Sequence, residues 1–403
     1  MDFRKTLVII AALSLLAGVV FPCTAQEMED LPVDEAPMPA EPQIEASFER
    51  ARIITIEDKS EVLPTEEGER VEAYKEIGVE MLSGKHKGEQ TFFKDSPSTN
   101  PFGMEFDIGN KVLLYVEDAG EAGWTVSIDS MYRVPQLLWL IFLFFLFLIV
   151  LGGLRKGLKT ILSLVVAVVL IFKVIVPMVL AGQSALFVTF IIAAAVSVIT
   201  LLLVGGRNKK SFAAILGTVG GVIIAFIFSY IFSESAHLIG LSTEEGRLLA
   251  ANNPNIDPRG IFLSGILIGA LGAAMDVAIG VASAVHEVRE ASSESGFKKL
   301  FSSGINVGRD VIGTMSNTLI FAYVGAALPT ILLFQGLGQS WLKFLNFNFI
   351  ADEVVRSIGG SIGMIAVIPL TALFAAYFYH ARAGKSERIR QSGGVVRKII
   401  DKK

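Results

Sequence analysis

Seven long apolar stretches occupy most of this 403-residue chain after residue 136. Each is close to the roughly 20 residues that an α-helix needs to cross the hydrocarbon core of a bilayer. Since no water is available there to satisfy backbone groups, a spanning segment of this kind must be helical. We therefore predict seven transmembrane helices: Leu137–Leu154, Ile161–Leu180, Ala185–Val204, Phe212–Phe232, Ile261–Val285, Val311–Phe334 and Gly359–Tyr379.

Basic residues are distributed unevenly between the two sides of these helices. The loops after the first, third and fifth helices carry 3, 3 and 4 lysines and arginines, and the tail at 381–403 carries 8, whereas the opposite loops together carry 4. Lysine and arginine are retained on the cytoplasmic side of a bacterial inner membrane. We therefore predict a cytoplasmic tail and an extracytoplasmic segment before the first helix.

The N-terminus has the pattern of an export signal. Arg4 and Lys5 precede an apolar run, and Cys23-Thr24-Ala25 resembles a cleavage site. We predict a signal peptide at residues 1–25. An uncleaved anchor helix and a lipid anchor at Cys23 are the alternatives.

Two kinds of sequence separate this leader from the first helix. Residues 26–50 are rich in Pro, Glu and Ala and are predicted to form a disordered linker. Residues 51–131 alternate apolar and polar side chains over five short runs with glycine turns, which predicts a small OB- or SH3-like barrel. The predicted strands are Arg52–Ile56, Ile77–Leu82, Gln90–Phe93, Lys111–Val116 and Trp124–Ile128.

The predicted fold is therefore an α-helical polytopic membrane protein, residues 132–380, behind a small extracytoplasmic all-β domain. Cys23 is the only cysteine and lies in the leader, so the mature chain lacks disulfides and thiolate ligands. The four histidines lie far apart, and no phosphate-binding G-x-x-x-x-G-K-[ST] loop is present. We expect no cofactor, no metal site and no nucleic-acid partner, and the lipid bilayer as the surrounding medium.

The fifth helix carries small and polar residues at steps of 3 and 4, which place them on one face. Small residues allow another helix to approach closely. A carboxylate within the bilayer is costly, so Asp276 must face a partner or water. It is either a proton- or cation-coupled site or a hydrogen-bonded group that only holds helices together. The face comprises Gly265, Gly269, Gly272, Asp276, Gly280 and Ser283.

The sixth helix has a comparable polar face at steps of 4, 3 and 4, formed by Asn306, Asp310, Gly313 and Asn317. Because this helix runs outward from the cytoplasm, Asn317 is expected at nearly the depth of Asp276. Arg309 and Asp310 lie near the inner boundary, where they form either a gate or an interfacial ion pair.

Other helices contribute one further charge and more small residues. In the second helix, Pro177 removes the amide donor for the carbonyl of Lys173, so this lysine either lines a solute path or extends to the outer surface. In the fourth helix, Gly217 and Gly221 are four residues apart and predict close helix packing.

Two long motifs in this region resemble the YibE/F-like family of bacterial membrane proteins: GALGAAMDVA at 269–278 and SGINVGRDVIGTMSNTL at 303–319. Shorter matches are Leu82–Gly88, Ala322–Gly325 and Ile368–Ala372, so the resemblance covers roughly residues 70 to 380. It implies an integral membrane protein and supplies no substrate.

Three classes of function are compatible with these features. We predict a transporter or channel-like permease for a small solute or ion, with a polar path between the fifth and sixth helices. The alternative is a scaffold or envelope-assembly factor whose β domain binds an external protein through residues 51–131. An intramembrane protease using Asp276 and Asp310 is disfavoured, because the Gly-x-Gly-Asp signature is absent and the two depths differ. We therefore expect no enzymatic activity.

Overall fold

The computed structural model describes residues 45–400, apart from 66–67, 97–98, 101–102, 121–122 and 293–294. For residues 45, 61–72 and 381–400 only the backbone is described. The predicted signal peptide, most of the predicted linker and the last three residues of the predicted tail lie outside the described residues. The chain divides between Leu146 and Phe147 into two compact units.

The first unit is a five-stranded antiparallel sheet with the order β3-β2-β1-β4-β5. All five predicted strands are present within it, because their alternating side chains bury one face. Its core contains Ala51, Ile53, Ile77, Val79, Met81, Phe93, Val112, Leu114 and Val116. The strands are β1 Glu45–Thr65, β2 Gly68–Met81, β3 Gln90–Asp95, β4 Lys111–Asp118 and β5 Trp124–Met131.

This sheet curls into a half-barrel and not into the small OB- or SH3-like barrel that the sequence predicts. Within the described residues, β3 and β5 are the two edge strands of the sheet, and no hydrogen-bonded ladder joins them. Register shifts at Ile53/Thr55 and Leu113/Leu114 supply local bends, since a bulge increases the twist of a strand. β1 also begins at Glu45 and pairs with β4 as far as Asp118, so residues 45–50 are strand and not linker.

β1 and β2 are much longer than predicted. Beyond the half-barrel, Lys59–Thr65 pairs only with Gly68–Tyr74 and forms a two-stranded arm. The arm was missed because its sequence is rich in charge and has little apolar alternation.

A tight loop between β2 and β3 brings several charged side chains together. Gly84 has φ 83°, and a Cβ at this position would overlap the carboxylate of the buried Glu49. The neighbouring His86 ring stacks on Trp124 at 4.1 Å between centroids. Lys85 Nζ and His86 Nε2 each lie 3.6 Å from the Asp118 carboxylate. The backbone N–H of Gly120 donates to Asp118, and this hydrogen bond is the main cause of its lowered pKa.

Asp118 should make the β unit more stable at neutral pH than in acid. A carboxyl with a lowered folded pKa stabilises the fold above its unfolded pKa of about 4, and this contribution is lost as pH falls through the folded value. We expect Asp118→Asn to lower the urea midpoint at pH 7 and to reduce its fall in acid. Trp124 fluorescence in a chain with Trp139 and Trp341 replaced by Phe measures this, and the exposed Asp107→Asn should keep the original pH dependence.

Within the described residues, seven helices from Val134 onward are long and apolar enough to cross a membrane, which confirms the predicted number. We call them the first to seventh spans. Short helices at Glu244–Asn252 and Trp341–Leu345 lie in the connections before the fifth and seventh spans. The spans are Val134–Gly152, Leu154–Leu180, Ala185–Gly205, Lys209–Ser235, Pro258–Ala291, Phe297–Gly336 and Asn348–His380, and the backbone of the last helix continues to Ile400.

The fourth, fifth and seventh spans form the interior of the bundle and contribute most of its main apolar cluster. The third span packs against the fourth and fifth, and the second packs against the third. The sixth span packs on the seventh and fifth but lies at the periphery, because only 6% of its most apolar stretch is buried. The first span has no buried residue.

A close helix contact joins the fourth and seventh spans through glycine. A Cβ on Gly221 would lie 2.8 Å from the Gly363 carbonyl oxygen, and a Cβ on Gly363 would lie 2.7 Å from that of Gly221. One turn earlier, a Cβ on Gly217 would overlap Thr371. The predicted packing role of Gly217 and Gly221 therefore fits this geometry.

Replacing Gly221 by alanine should destabilise the bundle, because neither backbone can move away without breaking this contact. We expect Gly221→Ala to lower the free energy of unfolding by about 1–3 kcal/mol. Gly325→Ala is the matched control, since a Cβ there meets nothing within 4 Å and alanine favours helix. Thermal unfolding in detergent compares them, and equal melting temperatures would contradict the assignment.

Candidate functional site

The fifth and sixth spans are antiparallel neighbours whose register is fixed by two contacts. The Tyr323 hydroxyl occupies the space beside Gly269 where a Cβ would otherwise lie. Towards the other end, a Cβ on Gly304 would lie 2.9 Å from a methyl group of Val285. Counting along the two helices from either contact brings Asp276 level with residues 313–316.

Residues seven apart lie on nearly the same face of an α-helix, since two turns contain 7.2 residues. Gly269, Asp276 and Ser283 therefore share one side of the fifth span. On the sixth span, the side that reaches Gly269 carries Tyr323, Ser316 and Arg309 at the same interval. The Tyr323 contact places Asp276 level with Ser316 and Ser283 level with Arg309, whereas the Gly304 contact places them level with residues 313 and 306.

On this side of the fifth span, the surroundings of Asp276 are open. Its side chain is exposed, and it makes no hydrogen bond or ion pair with any described residue. One turn away on either side, Cβ atoms on Gly272 and Gly280 would meet nothing within 4 Å. Ser316 has a buried Oγ without a hydrogen-bond partner. We call the set Gly269, Gly272, Asp276, Gly280, Ser283, Arg309, Ser316 and Tyr323 the polar groove.

Asn317 is the residue of the sixth span that is expected at nearly the depth of Asp276. Asn317 has nearly the expected depth, but it follows Ser316 by one residue and is therefore rotated by about 100°. Asn306, Asp310, Gly313 and Asn317 are exposed on the side opposite Gly304 and Gly308, which pack against Ala372 and Ile368 of the seventh span. This polar face points away from the bundle.

The predicted packing glycines also fall into different groups. Gly269 packs against Tyr323, and a Cβ on Gly265 would lie 3.6 Å from Arg356 Nη1. Gly272, Gly280 and Gly313 have no atom of another described element within 4 Å of a Cβ position, so they do not pack helices within this chain. The hydrophobic pattern identified the face of each glycine but not whether a neighbour covers it.

Lys173 is not part of the polar groove. It is exposed in a π-helical turn, Ile171–Ile175, that precedes Pro177 in the second span. The amide of Val176 donates to the carbonyl of Ile171, five residues earlier, so the helix is locally wider. Because the second span packs mainly on the third, the structure does not bring Lys173 to Asp276.

The structure adds a charged cluster that the sequence analysis missed. Asp352 is 3% exposed at the start of the seventh span, and its carboxylate lies near Ser242. Arg356 Nε lies 3.6 Å from a Glu353 carboxylate oxygen. The Arg356 guanidinium lies 5.4 Å from the centre of the Phe262 ring. The signal was an Asp-Glu-x-x-Arg pattern before the predicted seventh helix, which we had assigned to a loop.

The groove and the cluster lie among apolar helices that can each cross a bilayer, which defines a multi-pass helical membrane protein. The sequence model of the YibE/F-like protein family matches residues 140–381, and the chain belongs to this family. The matched range includes both long motifs and begins after the β unit. No curated protein and no solved structure matches the chain.

Arg356 should stabilise the bundle through its acidic neighbours. Arg356→Met would leave Asp352 and Glu353 without their cation in a largely buried position, and we expect a loss of about 1–3 kcal/mol in unfolding free energy. Adding Glu353→Gln should restore part of it, since one uncompensated carboxylate is removed. Thermal unfolding of both variants in detergent tests this, and a double variant less stable than the single one would contradict it.

Proposed function

We propose that the protein is a permease that moves a small cation or a proton-coupled solute along the polar groove. This proposal rests mainly on the register of the fifth and sixth spans, which sets Asp276 level with Ser316 and leaves open space beside Gly272 and Gly280. A carboxylate without a protein partner at this position requires water or a cation. Asp276 is the only acidic side chain of the groove, so a cation or proton is the species that it favours.

The two ends of the groove carry different groups. At the predicted outer end, Tyr323 lies beside Gly269, and Arg356 reaches Gly265 from the seventh span. At the predicted cytoplasmic end, Ser283 and Arg309 lie level. A guanidinium near each end repels any cation that enters, so the attraction of the central Asp276 carboxylate has to exceed this repulsion.

The orientation of the protein and its location in the inner membrane are inferred from the charge distribution and are part of this proposal. The protein would lie in the bacterial inner membrane, with the β unit outside and the tail in the cytoplasm. The placement of Asp276 and Asp310 supports a function other than intramembrane proteolysis. Asp276 belongs to the groove, whereas Asp310 is rotated by about 100° from Arg309 on the sixth span and points away from the fifth, so the two are not placed as an aspartate pair.

Asp276→Asn is the test of this proposal. In proteoliposomes, we expect it to reduce the flux of the transported cation at least tenfold and to abolish its pH dependence, because the neutral amide cannot exchange a proton. Asp276→Glu should keep measurable, pH-dependent flux. A panel of H⁺, Na⁺, K⁺ and Mg²⁺ gradients, read with internal fluorescent indicators, covers the candidate ions. Unchanged flux in Asp276→Asn would remove the groove from the mechanism.

A scaffold function is the second candidate, and features of the β unit favour it. β3 is an open sheet edge with an exposed Phe92, a surface to which an extended segment of another protein can add as a strand. Beside it, a cleft of about 570 Å³ is lined partly by Asp58, Lys59 and Tyr74. If this function is correct, Asp276→Asn changes no flux, because the groove then carries no solute.

A further inference from the structure

The four residues Asn306, Asp310, Gly313 and Asn317 form what we call the sixth-span polar face. All are exposed, and none makes a side-chain hydrogen bond or ion pair with a described residue. A Cβ on Gly313 would meet nothing within 4 Å. This face is separate from the polar groove, because it lies on the side of the sixth span that points away from the fifth and seventh.

An unpartnered face of this composition is unfavourable against lipid. Acyl chains offer no hydrogen bond to the amide of Asn317, which lies within the predicted sixth helix, so this amide must meet protein or water. Asn306 and Asp310 precede that helix at the predicted inner boundary. The first span cannot cover this face with polar side chains, since between Leu137 and Val150 it carries only aliphatic and aromatic ones.

We propose that a second copy of this chain covers the sixth-span polar face and that the protein is a two-fold dimer. Two copies inserted in the same direction bring their sixth spans together in parallel about an axis along the membrane normal. Steps of 4, 3 and 4 are the spacing of the contact seam between two parallel helices. In such a pair each residue of the seam faces its own counterpart.

The composition of the face suits pairing with itself. An Asn amide both donates and accepts, so Asn306 and Asn317 can each pair with the same residue of the second copy. Gly313 lies between them and allows the two backbones to approach closely. Asn306 is one turn from Asp310, so the Asn306 amide of the second copy is a donor within reach of each Asp310 carboxyl.

Disulfide crosslinking of the full chain in native membranes tests this dimer. In a Cys23→Ala background, Asn317→Cys should form a covalent dimer on mild oxidation. Ile223→Cys is the matched control, because Ile223 is 38% exposed in the middle of the fourth span, outside the proposed seam. It should give only the background caused by random collision.

A second measurement distinguishes a specific seam from mere proximity. We expect Asn317→Leu to weaken dimerisation in vesicles about three- to tenfold, the range for one interhelical polar contact. Asn317→Gln should retain the dimer because it keeps donor and acceptor. Single-molecule photobleaching of labelled chains measures the dimer fraction at each dilution.

The proposal is wrong if Asn317→Cys gives no dimer above the control. Rapid labelling of that cysteine by a water-soluble maleimide would then show that the face meets water in a single copy, and a crosslink to another protein would assign it to a different partner. Neither measurement uses flux, so the dimer and the permease proposal can fail separately.

Discussion

The contact between the fourth and seventh spans determines how the rest of the bundle is arranged. Gly221 and Gly363 allow the two backbones to touch, which no side chain larger than hydrogen would permit. Together with the fifth span, these helices fill the interior. At the predicted cytoplasmic end the arrangement is reinforced by Tyr379, whose ring stacks on His286 at 5.4 Å and lies 5.3 Å from Lys209 Nζ.

A filled interior leaves the sixth span at the periphery, and this explains why its two polar lines have different environments. Gly304 and Gly308 hold it against the seventh span, so Tyr323, Ser316 and Arg309 turn towards the fifth. The line of Asn306, Asp310, Gly313 and Asn317 then has to face outward. The polar groove and the proposed dimer seam therefore arise from the same packing constraint.

The sequence predicted the number of spans, because hydropathy depends on composition alone. From helical rise, the sequence also predicts that Asn317 lies at nearly the level of Asp276. It did not predict that Ser316 and not Asn317 shares its level and side, because helix rotation is fixed by contacts such as that of Tyr323 with Gly269. Asp352 and Arg356 were missed since a charged first turn resembles a loop. Pairing of Lys59–Thr65 depends on cross-strand hydrogen bonds that apolar periodicity does not report.

The two-stranded arm of β1 and β2 gives the β unit a reach that its small core does not suggest. The seven residues from Lys59 to Thr65 rise by about 3.3 Å each. The arm therefore extends roughly 20 Å beyond the part of the sheet that has more than two strands. Its ladder joins only two strands, so the tip depends on the half-barrel for its direction. Anything attached at the tip is therefore held at a set distance from the sheet, and shortening the hairpin by whole residue pairs would bring it closer in steps of about 3.3 Å.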